Sequence, residues 1–340
     1  MIDLRSDTVT RPGKEMLEAM MSAQVGDDVF KEDPTINALE QKAASLFGME
    51  AALFCASGTM TNQIAINVHT RPGDEVICDK LAHIYLYEGG SIARLSGSSV
   101  NLLDGDRGRF TVEDVKAAIN PDDIHRANTS LVAAENTMNK GGGACWDINE
   151  LKKISSLCRE KNLSFHLDGA RIFNALTETG ERPEDYGNIF DSISICLSKG
   201  LGAPVGSLLL GKKDFIKKAL RVRKALGGGM RQGGYLAAAG IYALDNNIKG
   251  LKEDHRRAKE IGKVLEALPY VDEVFPVQTN ILIFKLSDKM KDTDFIARLN
   301  EKSIKAIIFG PQTIRFVTHL DFNDSMMDEV IEVLKSLNRS

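Results

Sequence analysis

Lys199 and Asp168 are the residues whose neighbours point most clearly to chemistry. Lys199 follows the apolar run Ser192 to Leu197 and precedes Gly200-Leu201-Gly202-Ala203-Pro204-Val205-Gly206. At the buried end of a strand an ammonium loses solvent, which favours the neutral amine, a nucleophile for carbonyls. Most lysines are solvated surface charge, but this one, with apolar sequence before it and glycines after it, is the best candidate for a Schiff base. Asp168 comes directly after Phe165-His166-Leu167, where a carboxylate costs several kcal/mol unless it is paired with a cation. Arg171, three residues on, offers a purely structural ion pair. The alternative is the protonated ring nitrogen of a bound cofactor, an arrangement used for pyridoxal phosphate.

Other polar groups follow apolar runs in the same way. Ser57-Gly58-Thr59 ends one run and opens a helical segment, so free N–H groups and two hydroxyls are available to a phosphate there, although such turns are often mere capping. Asp79 and then His83 follow a second run, and Glu135-Asn136-Thr137 a third. In an open parallel sheet, ligands bind beyond the carboxyl ends of the strands, which is where these groups converge.

The elements that must position them are short apolar runs alternating with amphipathic segments, the pattern of an α/β protein with a mainly parallel sheet. Strands are expected over residues 51–56, 75–78, 130–134, 164–167, 192–196 and 207–210. Helices are expected over 59–69, 81–95, 112–119 and 148–161, the last with Asp147 as N-cap and Glu150 three residues on. Helical signals dominate from 213 to 268. Strands at 280–286, 306–309 and 313–317 and helices at 293–302 and 325–337 then suggest a smaller α+β domain. The division is read as 1–245 for the N-terminal segment and large domain and 246–340 for the small one, with no Pro/Gly/Ser linker at the join.

Several function classes are disfavoured. Gly200-x-Gly202 has Val205 at the third dinucleotide-fingerprint position, and Pro204 would interrupt the helix that holds a pyrophosphate. The usual marks of P-loop, zinc-protease and α/β-hydrolase chemistry are missing from the sequence. The 340 residues carry 43 Lys+Arg against 47 Asp+Glu, a charge of −4 with no basic block that would suit nucleic acid. The apolar stretch from Gly233 to Leu244 falls short of the roughly 20 residues needed to span a bilayer. The opening Met1 to Asp7 lacks the pattern of a secretory signal. Five scattered cysteines without a C-x-x-C pair read as reduced, buried thiols, so a cytoplasmic location is expected and no metal site.

The order of a phosphate turn, a His, an Asp with an Arg three residues on, and then a Lys resembles fold-type I pyridoxal-phosphate enzymes. Within that group the chain is similar to the low-specificity L-threonine aldolases over essentially its whole length. The matching segments are Asp3-Leu4-Arg5-Ser6-Asp7-Thr8-Val9-Thr10, Gly26-Asp27-Asp28-Val29-Phe30, Ser57-Gly58-Thr59-Met60-Thr61-Asn62 and Ala82-His83-Ile84, then His166-Leu167-Asp168-Gly169-Ala170-Arg171, Ser198 to Gly206, Gly227-Gly228-Gly229-Met230-Arg231-Gln232 and Ile314-Arg315. The resemblance implies pyridoxal 5'-phosphate in a covalent aldimine with Lys199, Asp168 on the pyridinium nitrogen and His83 stacked on the ring. It implies a phosphate held by Ser57, Gly58 and Thr59, helped by Arg231 of a neighbouring subunit. The substrate carboxylate would be gripped by Arg171, Arg315 and Ser6, with His125 near the β-hydroxyl.

Without the resemblance these residues read more plainly. His125 sits in the polar loop 122–126 as a surface histidine, Arg315 alternates with Ile314 and Phe316 as the exposed face of a strand, and Ser6 caps the N-terminal segment. The implied reaction is retro-aldol cleavage of β-hydroxy-α-amino acids such as threonine and allo-threonine to glycine and an aldehyde, with His83, His125 or a water as base. A homo-oligomer with a site at the subunit interface, a tetramer in the family's manner, is implied as well. The alternatives are another fold-type I enzyme, a β-eliminating lyase or aminotransferase, and a non-catalytic or nucleotide-binding α/β protein in which Asp168 and Arg171 form an internal ion pair.

Overall fold

The computed structural model describes residues 1–337. Its central sheet contains β2 (Ala51–Cys55), β3 (Glu75–Asp79), β4 (Ser99–Leu103), β5 (Thr129–Glu135), β6 (Ser164–Gly169), β7 (Ser192–Cys196) and β8 (Ser207–Gly211), preceded in the chain by the short β1 (Ile2–Asp3). The order across the sheet is β2-β8-β7-β6-β5-β3-β4. β8 runs antiparallel to both of its neighbours and the remaining pairs are parallel. The six strands expected from apolar runs are present. β4 was not expected, because this edge strand reads Ser-Val-Asn-Leu-Leu and is half exposed, so it carries no unbroken apolar run.

Strands covered on both faces read as near-continuous apolar runs, and the alternation within them then decides what reaches each face. In β6, Phe165 and Leu167 enter the main core under the helices Pro34–Leu46, Ile148–Glu160 and Gly234–Asn246. His166 and Asp168 face the other way, where both meet Asn62 of the helix Gly58–His69. Asp147 caps its helix as expected, accepting from the Asn149 N–H at 2.9 Å. Glu150 does not close a capping box; it accepts from the Val112 N–H at 2.8 Å and so ties two helices together.

The single helix expected over 81–95 is broken. A short helix His83–Leu86 is followed by Gly89 and Gly90 at φ 65° and 68°, a left-handed pair that helical backbone cannot contain, and then by one π-helical turn, Ile92–Ser96. The break turns Glu88 inward.

The small sheet is antiparallel, built from β9 (Val271–Val274), β10 (Ile281–Leu286), β12 (Ile307–Gly310) and β13 (Thr313–Val317) in the order β12-β13-β10-β9. The two-residue β11 (Ile304–Lys305) pairs in parallel with β1. Ile2 and Leu4 are therefore buried in the core of the C-terminal region, although sequence position groups them with the large domain. The helix Leu251–Glu266 carries Leu251 into the large core and Ile261 and Leu265 into the small one. A continuous helix at the join explains why no linker composition marks it. All five cysteines are buried and free, and among the described residues no helix is long and apolar enough to cross a membrane.

Lys199 lies in the turn from β7 to β8. The Gly202 N–H closes this turn onto the Lys199 carbonyl at 2.8 Å, and Ala203 donates to Leu197 at 3.1 Å. Gly202 and Gly206 take φ of 76° and 115°, and a Cβ on Gly206 would lie 2.7 Å from Phe54 Cε2. Gly206→Ala should therefore destabilise the fold by about 2 kcal/mol through backbone strain and overpacking. A lowered urea midpoint at unchanged slope is the expected result, and an unchanged midpoint would contradict it.

Candidate active site

The carboxyl ends of β5, β6 and β7 meet the small sheet around a cavity of about 440 Å³. Lys199, Asp168, Glu135 and His83 line it from the large sheet, Ser6 from the N-terminal segment, and Phe309 and Arg315 from β12 and β13. Arg315 is only 7 % exposed, so it is not on a solvent face of its strand.

One wall is acidic. Asp168 Oδ2 accepts from Asn62 Nδ2 at 2.8 Å and Oδ1 from the Ala170 N–H at 3.1 Å. Glu135 is its register partner on β5 and accepts the backbone N–H groups of His83 and Asn139 at 2.7 and 2.9 Å. Burial, and then the neighbouring Asp168 charge, push the Glu135 carboxyl up to about 7. Glu88 accepts from His83 Nδ1 at 2.9 Å, Asn62 Nδ2 at 2.9 Å and Gln63 Nε2 at 2.6 Å. His83 thus carries its Nδ1 proton toward Glu88 and leaves Nε2 unengaged by that carboxylate. Burial pulls the His83 pKa down, but the Glu88 hydrogen bond and the charges of Asp168, Glu88 and Glu135 outweigh it and leave it raised.

The opposite wall is basic. Arg171 does not pair with Asp168; it donates from Nε and Nη2 to the two oxygens of Asp7, both at 2.7 Å. Asp7 is fully buried and also accepts from Asn280 Nδ2 at 3.2 Å. Burial alone would raise its pKa, but Arg171, with Lys199 and Asn280, lowers it to about 2. Arg315 donates to Asn139 Oδ1 at 2.9 Å and to the Arg5 carbonyl at 2.8 Å, and its guanidinium lies 4.5 Å over the Phe309 ring. Its Nε is buried without a hydrogen-bond partner among the described residues. Burial and the nearby Arg171 charge lower its pKa to about 10. Two guanidiniums and a lysine around one internal carboxylate make this wall suited to an anion.

The beta-eliminating lyase family model matches residues 3–289. The chain is 46% identical over 333 residues to a low-specificity L-threonine aldolase of Escherichia coli, covering 97% of each. The chain belongs to the low-specificity L-threonine aldolases, within the beta-eliminating lyase family. It is also 42% identical over 301 residues to the low-specificity L-threonine aldolase of Saccharomyces cerevisiae, covering 87% of this chain and 77% of the yeast one. The structure of a Leishmania major threonine aldolase superposes with a TM-score of 0.86 at 25% identity, covering 99% of both chains. The fold is therefore that of the fold-type I pyridoxal-phosphate enzymes, as the motif order implies.

The residues present fit the family's cofactor. Asp168 is 3 % exposed, and among the described residues its hydrogen bonds come from neutral N–H donors only, so a protonated ring nitrogen is a suitable partner beside the Lys199 amine. Ser6 both lines the cavity and caps the turn that follows it, accepting from the Thr8 N–H at 3.3 Å. Ser57, Gly58 and Thr59 open the helix Gly58–His69 but do not line the cavity itself. Ser57 accepts from the Met60 N–H at 3.2 Å, and a Cβ on Gly58 would come within 2.5 Å of Cys196 Sγ, so capping and packing both account for the motif. Arg231 is exposed and pairs with Asp27 at 2.8 Å, outside the cavity of its own chain.

His125 is not brought to the site. Its side chain is 83 % exposed and paired with Asp123 at 2.8 Å, in a fully exposed loop: even its apolar residue, Ile124, stands in solvent. Sequence reasoning gave no role to Asp7, Glu88 or Glu135. Glu135 was visible as a polar strand end and Asp7 within the opening motif, whereas Glu88 was hidden in a segment read as continuous helix.

The raised Glu135 pKa sets a pH dependence. From its ordinary 4.5 up to about 7, the unfolded carboxyl ionises while the folded one keeps its proton, so this contribution to stability is lost as pH rises through that window. The stability difference between Glu135→Gln and the parent should therefore move in favour of the variant by roughly 3 kcal/mol across that window. Urea titrations at several pH values measure the difference, and a pH-independent difference would contradict the assignment.

Proposed function

We propose that the chain cleaves L-threonine and L-allo-threonine to glycine and acetaldehyde by a retro-aldol reaction, with pyridoxal 5'-phosphate held through a Schiff base to Lys199. The observation that carries this reading is one cavity in which the Lys199 amine and two guanidiniums face a buried Asp168 whose hydrogen bonds, among the described residues, come from neutral donors. As a carbon–carbon lyase the enzyme needs an electron sink, which the cofactor supplies when bound.

The protein's own groups do the rest. Arg171, Arg315 and Ser6 grip the substrate carboxylate and so fix which bond of the α-carbon faces the reacting centre. Arg171 has Nη1 left outside its pair with Asp7, and Arg315 has an unpaired buried Nε. Asp168 holds the ring-nitrogen proton. His83 Nε2 takes the β-hydroxyl proton, directly or through one water, since Nδ1 is engaged by Glu88. Ser57, Gly58 and Thr59 hold the phosphate at the start of their helix, joined by Arg231 of a neighbouring subunit in a dimer-built site and a homotetramer. The exposed Arg231 side chain and the 69 % exposed Phe30 on the adjoining segment support an interface there. Any contact of His125 with substrate would come through such an interface. The buried free thiols suit a reducing, cytoplasmic location.

Aldehyde release from threonine, allo-threonine and phenylserine tests the reading: glycine plus aldehyde from the threonine isomers is expected. Pyruvate and ammonia, or turnover only with a keto acid, would instead mark a β-eliminating lyase or an aminotransferase. Lys199→Ala should lose nearly all turnover with the fold intact. Arg315→Ala should raise KM about tenfold or more, the size of one lost charge-assisted hydrogen bond, with cofactor retained. Because the His83 pKa is raised, the ascending limb of kcat/KM should lie above the ordinary imidazole value of about 6.5 and move down in Glu88→Gln. A limb unmoved in that variant would remove His83 as the titrating base.

A further inference from the structure

Behind Asp168, a line of polar side chains, buried except for the half-buried His69, runs away from the cavity between the sheet and the helix Gly58–His69. His69 Nε2 lies 2.9 Å from Ser192 Oγ, which lies 2.8 Å from His166 Nδ1, and His166 Nε2 lies 3.1 Å from Asn62 Oδ1. Asn62 Nδ2 then reaches Asp168 Oδ2 at 2.8 Å and Glu88 Oε1 at 2.9 Å. His166 and Ser192 have no measurable exposure, and Asn62 has 2 %. The far end is closed by Phe215, stacked on the His69 ring at 4.6 Å between centroids.

The direction of every bond can be deduced. Two carboxylates at Asn62 Nδ2 fix the amide orientation, since its oxygen cannot face them. Asn62 Oδ1 is an acceptor, so His166 carries its proton on Nε2. Burial pulls His166 down to about 4, against the Asp168 charge and a hydrogen bond to the Ser192 backbone, so the ring is neutral. With its proton on Nε2, its Nδ1 accepts from the Ser192 hydroxyl. The Ser192 oxygen then accepts from His69 Nε2–H, whose ring burial also keeps neutral, with a pKa lowered to about 3. Every link donates toward Asp168.

We propose that His69, Ser192, His166 and Asn62 form a one-way donor chain that holds the Asp168 carboxyl aimed at the cofactor ring nitrogen, with His166 as its central positioning residue. The inference rests on the pyridoxal-phosphate reading above. The need for such a chain is electrostatic. Glu88 and Glu135 place two more carboxylate side chains beside Asp168, and like charges favour a shared proton on one of them. A fixed amide donor that cannot itself release a proton favours the charged carboxylate. Aligned neutral dipoles behind it strengthen that donor. Apolar residues would pack this region without the cost of burying two imidazoles, a hydroxyl and an amide.

The test uses the holoenzyme. Long-range proton–nitrogen NMR should show His166 and His69 as neutral Nε2–H tautomers, and an Nδ1–H tautomer of His166 would overturn the proposal whether or not any variant folds. His166→Phe should weaken pyridoxal-phosphate binding about tenfold, the size of one hydrogen bond to a charged group, and shift the pH midpoint of the bound cofactor's visible band. His166→Gln, whose amide can donate to Asn62 and accept from Ser192, should restore both. Binding and midpoint within twofold of the parent in His166→Phe would refute the chain while leaving the cofactor reading intact. A parent protein that binds no pyridoxal phosphate would instead sink the function itself.

Discussion

The ion pair between Asp7 and Arg171 joins three parts of the molecule at the cavity. Asp7 comes from the N-terminal segment, Arg171 follows the end of β6, and Asn280, which also donates to Asp7, precedes β10 of the small sheet. Both charges are nearly excluded from water, so removing either partner would leave a charge uncompensated, at a cost of roughly 3–5 kcal/mol. The pair also sets the electrostatics of the basic wall. With Asp7 behind it, Arg171 stays charged beside Lys199 and Arg315. Arg315, with a carbonyl, an amide oxygen and the Phe309 ring as its partners, is the less compensated of the two guanidiniums.

The acidic wall works on the opposite principle. Three carboxylates, Asp168, Glu135 and Glu88, are gathered where three strand ends and the break at Gly89-Gly90 converge, and each has a different partner set. Glu135 is held by backbone N–H groups and takes up the proton that crowding favours. Glu88 bonds to His83, Asn62 and Gln63. Among the described residues Asp168 has only neutral donors, which leaves it the one suited to a cationic ring nitrogen. Similar burial thus produces different roles because the hydrogen bonds differ.

How much of this is legible in the sequence follows from the range of the interactions. Lys199 and Asp168 stand out because the apolar runs before them are local signals, and six of the seven central strands are legible for the same reason. The edge strand β4 is not, since a half-exposed strand lacks that run. The pairing of Arg171 with Asp7 rather than with Asp168 spans 164 residues and has no local signature. The burial of Ile2 and Leu4 against the C-terminal core is hidden in the same way. Arg315 looks like a surface residue because strand alternation cannot say that both faces of β13 are covered. His166 and Asn62 belong to motifs that the sequence displays, yet their connection needs the face each takes in three dimensions. The opposite holds for His125, for which the family resemblance implied a place that its exposed loop does not give it.

The central claim is that this edge of the sheet holds pyridoxal phosphate on Lys199, with Asp168 behind the ring. Hydride reduction of the cofactor-loaded protein followed by peptide mapping tests it most directly. A single pyridoxyl group on the peptide that contains Lys199, with loss of the visible band, is the predicted result. No incorporation, or a label on another lysine with Lys199 unmodified, would contradict the account.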